Sequence, residues 1–549
     1  MSGEVVSVPK IDIRPDYWVV VQGILRRHVP EYEVWAFGSR AKWTAKEYSD
    51  LDLAIVSDHP VPLKVIAALA DDFSESSLPW KVDVVDWAIV SDEFQKIIER
   101  DRVVVQEAVS SSVKPLWRYE LLENVAAPEK GAIAIGPFGS RLKTDAYTKS
   151  GVALIRGQNL TDSKALSGEF VFVSDETARA LGNANVKPFD LVFPHRGNIG
   201  SVGIVPEGKQ KYALSTSLMK ITLDRKKVEP LFLYYFFRSS QGRAELLKNA
   251  SQVGTPGIAT PLTSLRACVV PVPPVAEQAA IAQFLSLLDD RIDLLRQTNA
   301  TLESIAQALF KSWFIDFDPV CAKAEGREPE GMDAETAALF PDSFEDSARG
   351  EIPKGWTARK VGEIFSLIMG QSPPGDTYNT AKNGIPFYQG RTDFGFRFPS
   401  ERVYCTAPTR FASAGATLVS VRAPVGDVNV AVNRCAIGRG LAAVEFERAP
   451  AFALYSMKAL RSKFTEFEAH GTVFGSINKK QFEALPCILP SIEVLSAFSS
   501  IAGVIDERVQ VNELSLRALT ELRDTFLPRL VSGKLHLPDA QAQLNEAVA

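Results

Sequence analysis

The sequence predicts an α+β chain of several domains: a small α/β domain, then two strand-rich domains, each followed by a long helix. Three observations carry that expectation. The chain has 549 residues, several times a typical domain of roughly 150 residues. A long segment recurs within it, and each copy runs into apolar residues at heptad spacing. Ahead of the first copy, short β-branched runs carrying paired aspartates mark a separate unit over residues 1–116.

Hydrophobic residues at 46% and charged residues at 23% exclude a disordered chain and a disulfide-scaffold composition. No apolar run approaches the roughly 20 residues that span a bilayer, and the N-terminus lacks a charged-then-apolar signal pattern, so a cytoplasmic protein is expected. Cys268, Cys321, Cys405, Cys435 and Cys487 form no C-x-x-C pair; they read as reduced, partly buried thiols with no zinc site. The net charge of -5 conceals a division along the chain. Residues 117–275 carry 20 Lys and Arg against 13 Asp and Glu, and residues 356–490 carry 16 against 10, whereas the other segments are acidic. Two basic blocks suggest two surfaces for a polyanion; ordinary surface variation is the alternative.

In the first unit, Val34-Trp35-Ala36-Phe37 reads as a buried strand entering a Gly38-Ser39-Arg40 turn, and Tyr48 to Val56 contains a second strand. Alternation sends Asp50 and Asp52 to one face, where two carboxylates can share a hard cation. A third strand, Lys81 to Asp86, adds Asp83 and Asp86. Converging carboxylates beside a Gly-Ser turn suit a two-metal nucleotidyl transfer site. Residues 17–105 resemble the minimal nucleotidyltransferase domain of the polymerase-beta superfamily, whose pattern is G-S, then D-x-D, then a later Asp. The resemblance implies that Gly38, Ser39 and Arg40 hold the phosphates of a nucleoside triphosphate. It implies that Asp50, Asp52 and Asp83 are the catalytic carboxylates and Mg²⁺ ligands, Asp86 being the weaker third member. Trp43 departs from the pattern, standing where many such domains have glycine. An active transferase, a nucleotide-binding domain and a purely structural module all remain open readings.

Residues 254–292 align without gaps to residues 471–509 at a shift of 217, with Gly254 on Gly471, Pro273 on Pro490 and Asp289-Asp290-Arg291 on Asp506-Glu507-Arg508. Such a repeat makes the chain after residue 116 two half-molecules. Each copy begins near a tryptophan, Trp117 or Trp356, and ends in a heptad pattern. In the first copy the seam is Ile281, Leu285, Leu288, Ile292, Leu295, Asn299, Leu302, Ala306, Leu309 and Trp313; in the second it runs from Phe498 to Leu530 through Asn512. The Asn falls at a different heptad position in each, a device that fixes register between paired helices. A helix of roughly 37 residues is about 55 Å long, a rigid spacer; packing of each helix on its own domain alone is the alternative. The expected domains are thus 1–116, 117–275, a first spacer helix over 276–315, an acidic linker over 316–355 with a short helix near Ala334–Leu339, 356–490, and a second spacer helix with a tail over 491–549.

The strand-rich regions place polar residues at turns, where such groups read base edges or clamp phosphates and glycine lets the backbone approach. Arg156, Gln158 and Asn159 pair with Gln389 and Arg391, and His195, Arg196 and Asn198 pair with Arg422. With Arg141, Lys143, Asn478, Lys479 and Lys480, these are the candidate DNA-binding residues. For each of them a surface or loop-stabilising role is the competing reading.

Residues 117–535 resemble the specificity subunit of type I restriction-modification enzymes: two strand-rich domains, each entering a long helix with a D-[DE]-R core, and the ending Leu527-Pro528-Arg529-Leu530-Val531-Ser532-Gly533-Lys534-Leu535. The resemblance implies that each target-recognition domain reads one half of a split double-stranded DNA sequence. It implies that the two helices pair as an antiparallel coiled coil that sets the gap, and that two methyltransferase subunits and restriction subunits are partners. S-adenosylmethionine and ATP then belong to those partners. The sequence has no Asn-Pro-Pro-[Phe/Tyr] methylase motif and no G-x-x-x-x-G-K-[ST] phosphate loop, so this chain is expected to catalyse neither methylation nor cleavage. The second reading is a toxin- or antitoxin-like nucleotidyltransferase whose C-terminal region selects the substrate.

Overall fold

The computed structural model describes residues 10–548 except 31, 47, 58–59, 108–116, 138–141, 143, 252–255, 349 and 468–474. Two compact units result, Met1–Trp117 and Arg118–Ala549.

The first unit runs α1 (Pro15–His28), β1 (Glu33–Phe37), α2 (Gly38–Ala41), β2 (Leu51–Val56), α3 (Leu63–Ser74), β3 (Val82–Asp86), α4 (Asp92–Asp101) and β4 (Val103–Gln106). Pro15 opens α1, where its missing N–H is no loss. Trp18, Val21 and Leu25 then form its buried stripe. The sheet order is β3-β2-β1-β4, with β2 antiparallel to β1 and parallel to β3. Leu51, Leu53 and Ile55 face the core shared with α1 and α3, whereas Ala54 packs with Trp35, Phe37 and Ile98 on the other face. That alternation fixes which face receives Asp52.

The second unit repeats one topology. In its first half, Arg118–Leu121 pairs with Val269–Val272; in its second, Thr357–Lys360 pairs with Pro486–Leu489. A four-stranded sheet joins Ile133–Ile135, Leu218–Ile221, Leu191–Pro194 and Gly203–Ile204 in that order. Its counterpart joins Ser366–Met369, Leu441–Glu445, Thr417–Ser420 and Val428–Val430. Each half also has a five-stranded sheet built around one parallel pair, Val152–Ile155 with Tyr212–Leu214 and Ile385–Tyr388 with Cys435–Ile437. An apolar helix follows in each, Pro230–Arg238 and Pro450–Ala459.

The two spacer helices, Val275–Phe314 and Ile492–Leu530, have 40 and 39 residues, about 60 Å each. They pair antiparallel: Phe284 meets Phe526, Asp289 meets Arg523, and Asn299 meets Asn512, so facing residue numbers add to 810–812. Combined with the repeat shift of 217, that register places a pseudo-two-fold axis at residues 297 and 514. Asn512 donates to Asn299 Oδ1 at 2.8 Å, and Asn299 donates to Glu513 at 2.9 Å. On the other side of the axis the equivalent pair is Leu295 and Leu516, packed together with Ile292. The buried amide pair breaks an otherwise symmetric seam and so marks one register.

Residues 316–355 differ from a simple linker. They form helices Asp318–Ala324 and Ala334–Ala338 and a hairpin of Phe344–Ser347 with Gly350–Pro353. The physical reason lies in scattered aromatics: Phe317, Phe340 and Phe344 pack against Trp313, Trp356 and one another, which anchors an acidic, Pro- and Gly-punctuated stretch to the core. The five cysteines are free, with Cys268, Cys405 and Cys435 buried. Among the described residues no helix is long and apolar enough to cross a membrane.

Candidate nucleotide site and nucleic-acid clefts

In the first unit, β1 ends at Phe37, which lies opposite Asp52 on β2; Asp52 lies in turn opposite Asp83 on β3. The next residue, Gly38, has φ +75°, and a Cβ there would stand 2.3 Å from Asp52 Oδ2. The left-handed φ favours glycine, and any side chain there would have to displace the Asp52 carboxylate. The turn is held by Thr44, whose N–H and hydroxyl both donate to the Ser39 carbonyl at 3.0 and 3.3 Å. Trp43 sits between at φ +57°, in the left-handed region that glycine favours, with its indole 62% exposed.

Asp50 is exposed and Asp52 half-buried. Burial, then the charges of Asp83 and Asp50, raise the Asp52 carboxyl above its ordinary value. Asp83 is paired with Lys81 at 2.5 Å. Among the described residues no three His, Cys, Asp or Glu side chains stand gathered as a metal cage. The donor set is nonetheless all hard oxygen and carries mutual repulsion at Asp52, which suits a hard divalent cation. Asp86 is taken up otherwise: its buried carboxylate accepts from the Val61 and Ala88 N–H groups at 2.7 and 3.0 Å.

Arg40 corrects its sequence-based assignment to phosphate. Its side chain is buried, donates to the Ser49 and Asp12 carbonyls at 2.9 and 2.8 Å, and stacks on Trp80 at 4.1 Å. It braces the residue just ahead of Asp50, while its Nη2 is buried without a hydrogen-bond partner.

The second strand-rich domain brings Gln389, Arg391 and Arg422 together in a cleft of about 780 Å³ with Asp427 and Arg461. Asp427 accepts from both Arg391 and Arg461. Gln389 and Arg422 also border an adjoining cleft of about 400 Å³ with Arg439 and Tyr378. Arg461 and Arg439 were not singled out from sequence; the basic balance of residues 356–490 was their only signal. Nearby, Lys479 and Lys480 are exposed, but Asn478 caps the helix Lys479–Glu483, accepting from the Gln481 N–H at 3.0 Å.

In the first domain, Gln158, Arg196 and Asn198 are exposed. Arg196 bridges to Gly257 as Arg422 bridges to Ser476, so the two arginines hold equivalent places. Two candidates are corrected. Asn159 is fully buried, accepting from the Arg156 N–H and donating to the Ser167 and Glu169 carbonyls at 2.9–3.1 Å. His195 is buried against the Thr216 carbonyl at 3.2 Å, and burial lowers its pKa. Both hold loops. Arg156 donates one guanidinium nitrogen to the Glu169 carbonyl at 2.8 Å. Arg141 and Lys143 lie outside the described residues.

The C-terminal unit thus holds two basic, strand-rich domains joined to an antiparallel helix pair, and the first unit holds a small four-stranded α/β domain. Comparison with known proteins agrees. A family model described as type I restriction modification DNA specificity domain matches residues 139–304, and one described as nucleotidyltransferase domain matches residues 21–110. Over most of its length the chain is similar to type I restriction-modification specificity subunits, and its N-terminal part is a nucleotidyltransferase domain. It is 26% identical over 444 residues to the type I restriction enzyme HindI specificity subunit of Haemophilus influenzae, covering 70% of this chain and 94% of that protein. Its first unit is 48% identical over 109 residues to the probable protein adenylyltransferase MntA of the same organism, covering 20% of this chain and 96% of that one. The crystal structure of a type I restriction-modification S subunit from M. genitalium shares the fold at TM-score 0.52 and 15% identity, covering 77% of this chain and 97% of that one.

Proposed function

We propose that the chain reads a two-part DNA sequence, one part through each strand-rich domain, and seats two copies of a methyltransferase subunit, with restriction subunits joining the same cytoplasmic complex. The observation that carries this reading is the pseudo-two-fold helix pair. It presents exposed apolar residues at matched positions, Leu287 with Val504 and Leu294 with Val511, and duplicated patches on one scaffold suit two copies of one partner. Gln389, Arg391, Arg422 and Arg461 in one half, and Gln158, Arg196 and Asn198 in the other, are positioned to contact bases and phosphates. S-adenosylmethionine and ATP bind in the partner subunits. Exchanging residues 117–275 for the same region of a relative tests this: one half of the target should change, and a change in both halves would contradict the assignment.

The 48% identity of the first unit to MntA supports a second activity, transfer of a nucleotide to a protein hydroxyl. Asp50 and Asp52, with Asp83 once it leaves Lys81, would hold Mg²⁺, which supplies charge neutralisation at the phosphates. Gly38 and Ser39 shape the turn that receives those phosphates, and Arg40 keeps Asp50 in place through the Ser49 carbonyl. The test is label transfer from α-labelled ATP to protein. Asp50→Ala with Asp52→Ala should abolish it, and persistence of transfer would remove the assignment.

A further inference from the structure

The D-[DE]-R positions of the repeat lie at two buried ion clusters, each tying one strand-rich domain to both spacer helices. In the first, Asp289 accepts from Tyr235 and Arg238 of the domain at 2.9 and 3.0 Å, and from Arg523 of the second spacer helix at 3.0 Å. In the second, Asp506 occupies the equivalent place and Tyr455 and Lys458 stand where Tyr235 and Arg238 stand. Here the centre is a cation. Arg397, 2% exposed, donates to Asp506 at 2.5 Å, to Tyr455 at 3.1 Å, and to Glu303 of the first spacer helix. Lys458 also donates to Glu303.

The second cluster is continuous with the wall of the large cleft. Phe394 and Gly395, just ahead of Arg397, line that cleft, as do Lys458 and Gln307, which both bond Glu303. The Arg397 carbonyl accepts from Val430 at 2.9 Å, and Asn429 donates to the Gly395 carbonyl at 3.0 Å, so the loop is fastened to the strand beside the cleft.

We infer that Arg397 is a positioning residue that sets the gap between the two half-sites, by fixing the rotation of the second domain on the helix pair. The inference rests on the proposed reading of a two-part DNA target. One base pair of gap changes both the distance, by about 3.4 Å, and the azimuth, by roughly 35°. A rigid rod holds distance, but the apolar contacts of Phe452 and Tyr455 with Phe310 and Phe498 are nondirectional and leave the domain some freedom of angle on the helix pair. A side chain from the domain that bonds both helices removes that freedom. A buried ion cluster need not add net stability, and its directional bonds can instead specify one arrangement.

The experiment maps modified adenines genome-wide for the chain co-expressed with its methyltransferase, as wild type, Arg397→Met, Arg397→Lys and Glu303→Gln. A wild type that yields no split sequence with one gap would fail the proposed reading itself. Given that gap, Arg397→Met, which loses its bonds to Asp506, Glu303 and Tyr455, should keep both half-sites but raise modification at gaps one base pair longer and shorter by about tenfold or more, since one charge-assisted hydrogen bond alone is worth about that factor. Arg397→Lys should restore part of the single-gap preference. If Arg397→Met does not fold, Glu303→Gln carries the test with the same expected broadening. An unchanged gap in a folded variant, or altered bases in the second half-site, would overturn the inference.

Discussion

Inserting seven residues between Leu302 and Glu303, and seven more between the facing Arg508 and Val509, lengthens the helix pair between its two ion clusters while keeping the heptad seam in register. In the native pair Asp289 and Glu303 are 14 residues apart on one helix, and Asp506 and Arg523 are 17 apart on the other, about 21 and 26 Å along the axis. The insertions add about 10.5 Å, equal to roughly three base-pair rises. They turn the far domain by only about 20°, whereas three base pairs turn the duplex by roughly 105°. The native gap is therefore out of reach by several ångströms, and a target three base pairs longer is met only with twisting of the DNA. Competition binding with duplexes of graded gap, each carrying the mapped half-sites, should show the native-gap duplex losing its advantage and the longer one binding more weakly than native did. Unchanged affinity and gap preference would refute the helix pair as the ruler.

Other outcomes follow from particular contacts. Asn299→Leu or Asn512→Leu alone leaves a buried amide without its partner and should lower the heat-unfolding midpoint of the C-terminal unit, by about 1–3 kcal/mol of stability. The double substitution should recover most of it, and a double variant no better than the sum of the singles would contradict the amide pair. Phe310 packs on Phe314, Phe452, Tyr455 and Phe498, so Phe310→Ala should cost about 3–5 kcal/mol by chemical unfolding followed through tryptophan fluorescence. Asp52 binds its proton more tightly when folded than when unfolded, so its contribution is present at low pH and is lost as pH rises through the raised folded value. Asp83→Asn removes one repelling charge and gives up only an exposed, weakly stabilising pair with Lys81, and should therefore stabilise the N-terminal unit at neutral pH. The gain should vanish once the pH is low enough to protonate Asp52 in both states, and urea midpoints at both pH values decide it. Asp50→Ala with Asp52→Ala should leave DNA targeting intact, read as unchanged methylation; its loss would make the first unit integral to recognition.

The heptads were legible because the period of a helix is fixed by backbone geometry, and the repeat because its two copies align without gaps. Asp52 and Gly38 could be placed from neighbours in the chain alone, whereas Asp50 stands just ahead of the strand Leu51–Val56 and not within it. Arg40, Asn159 and His195 could not. Their partners are backbone carbonyls at Asp12, Glu169 and Thr216, and nothing local distinguishes an arginine or amide that bonds a distant carbonyl from one that faces solvent. The same limit hid Arg397, whose acceptors Glu303 and Asp506 lie about 100 residues away. Residues 316–355 were read by their acidity and turn residues, while the irregular spacing of Phe317, Phe340 and Phe344 concealed that they pack.

Co-expression of the chain with its methyltransferase partner in an unmethylated host, followed by genome-wide mapping of modified adenines, tests the specificity role most directly. A split sequence with one fixed gap, absent when the chain is omitted, is the predicted result. A stable complex with an active methyltransferase that modifies no such sequence would contradict it.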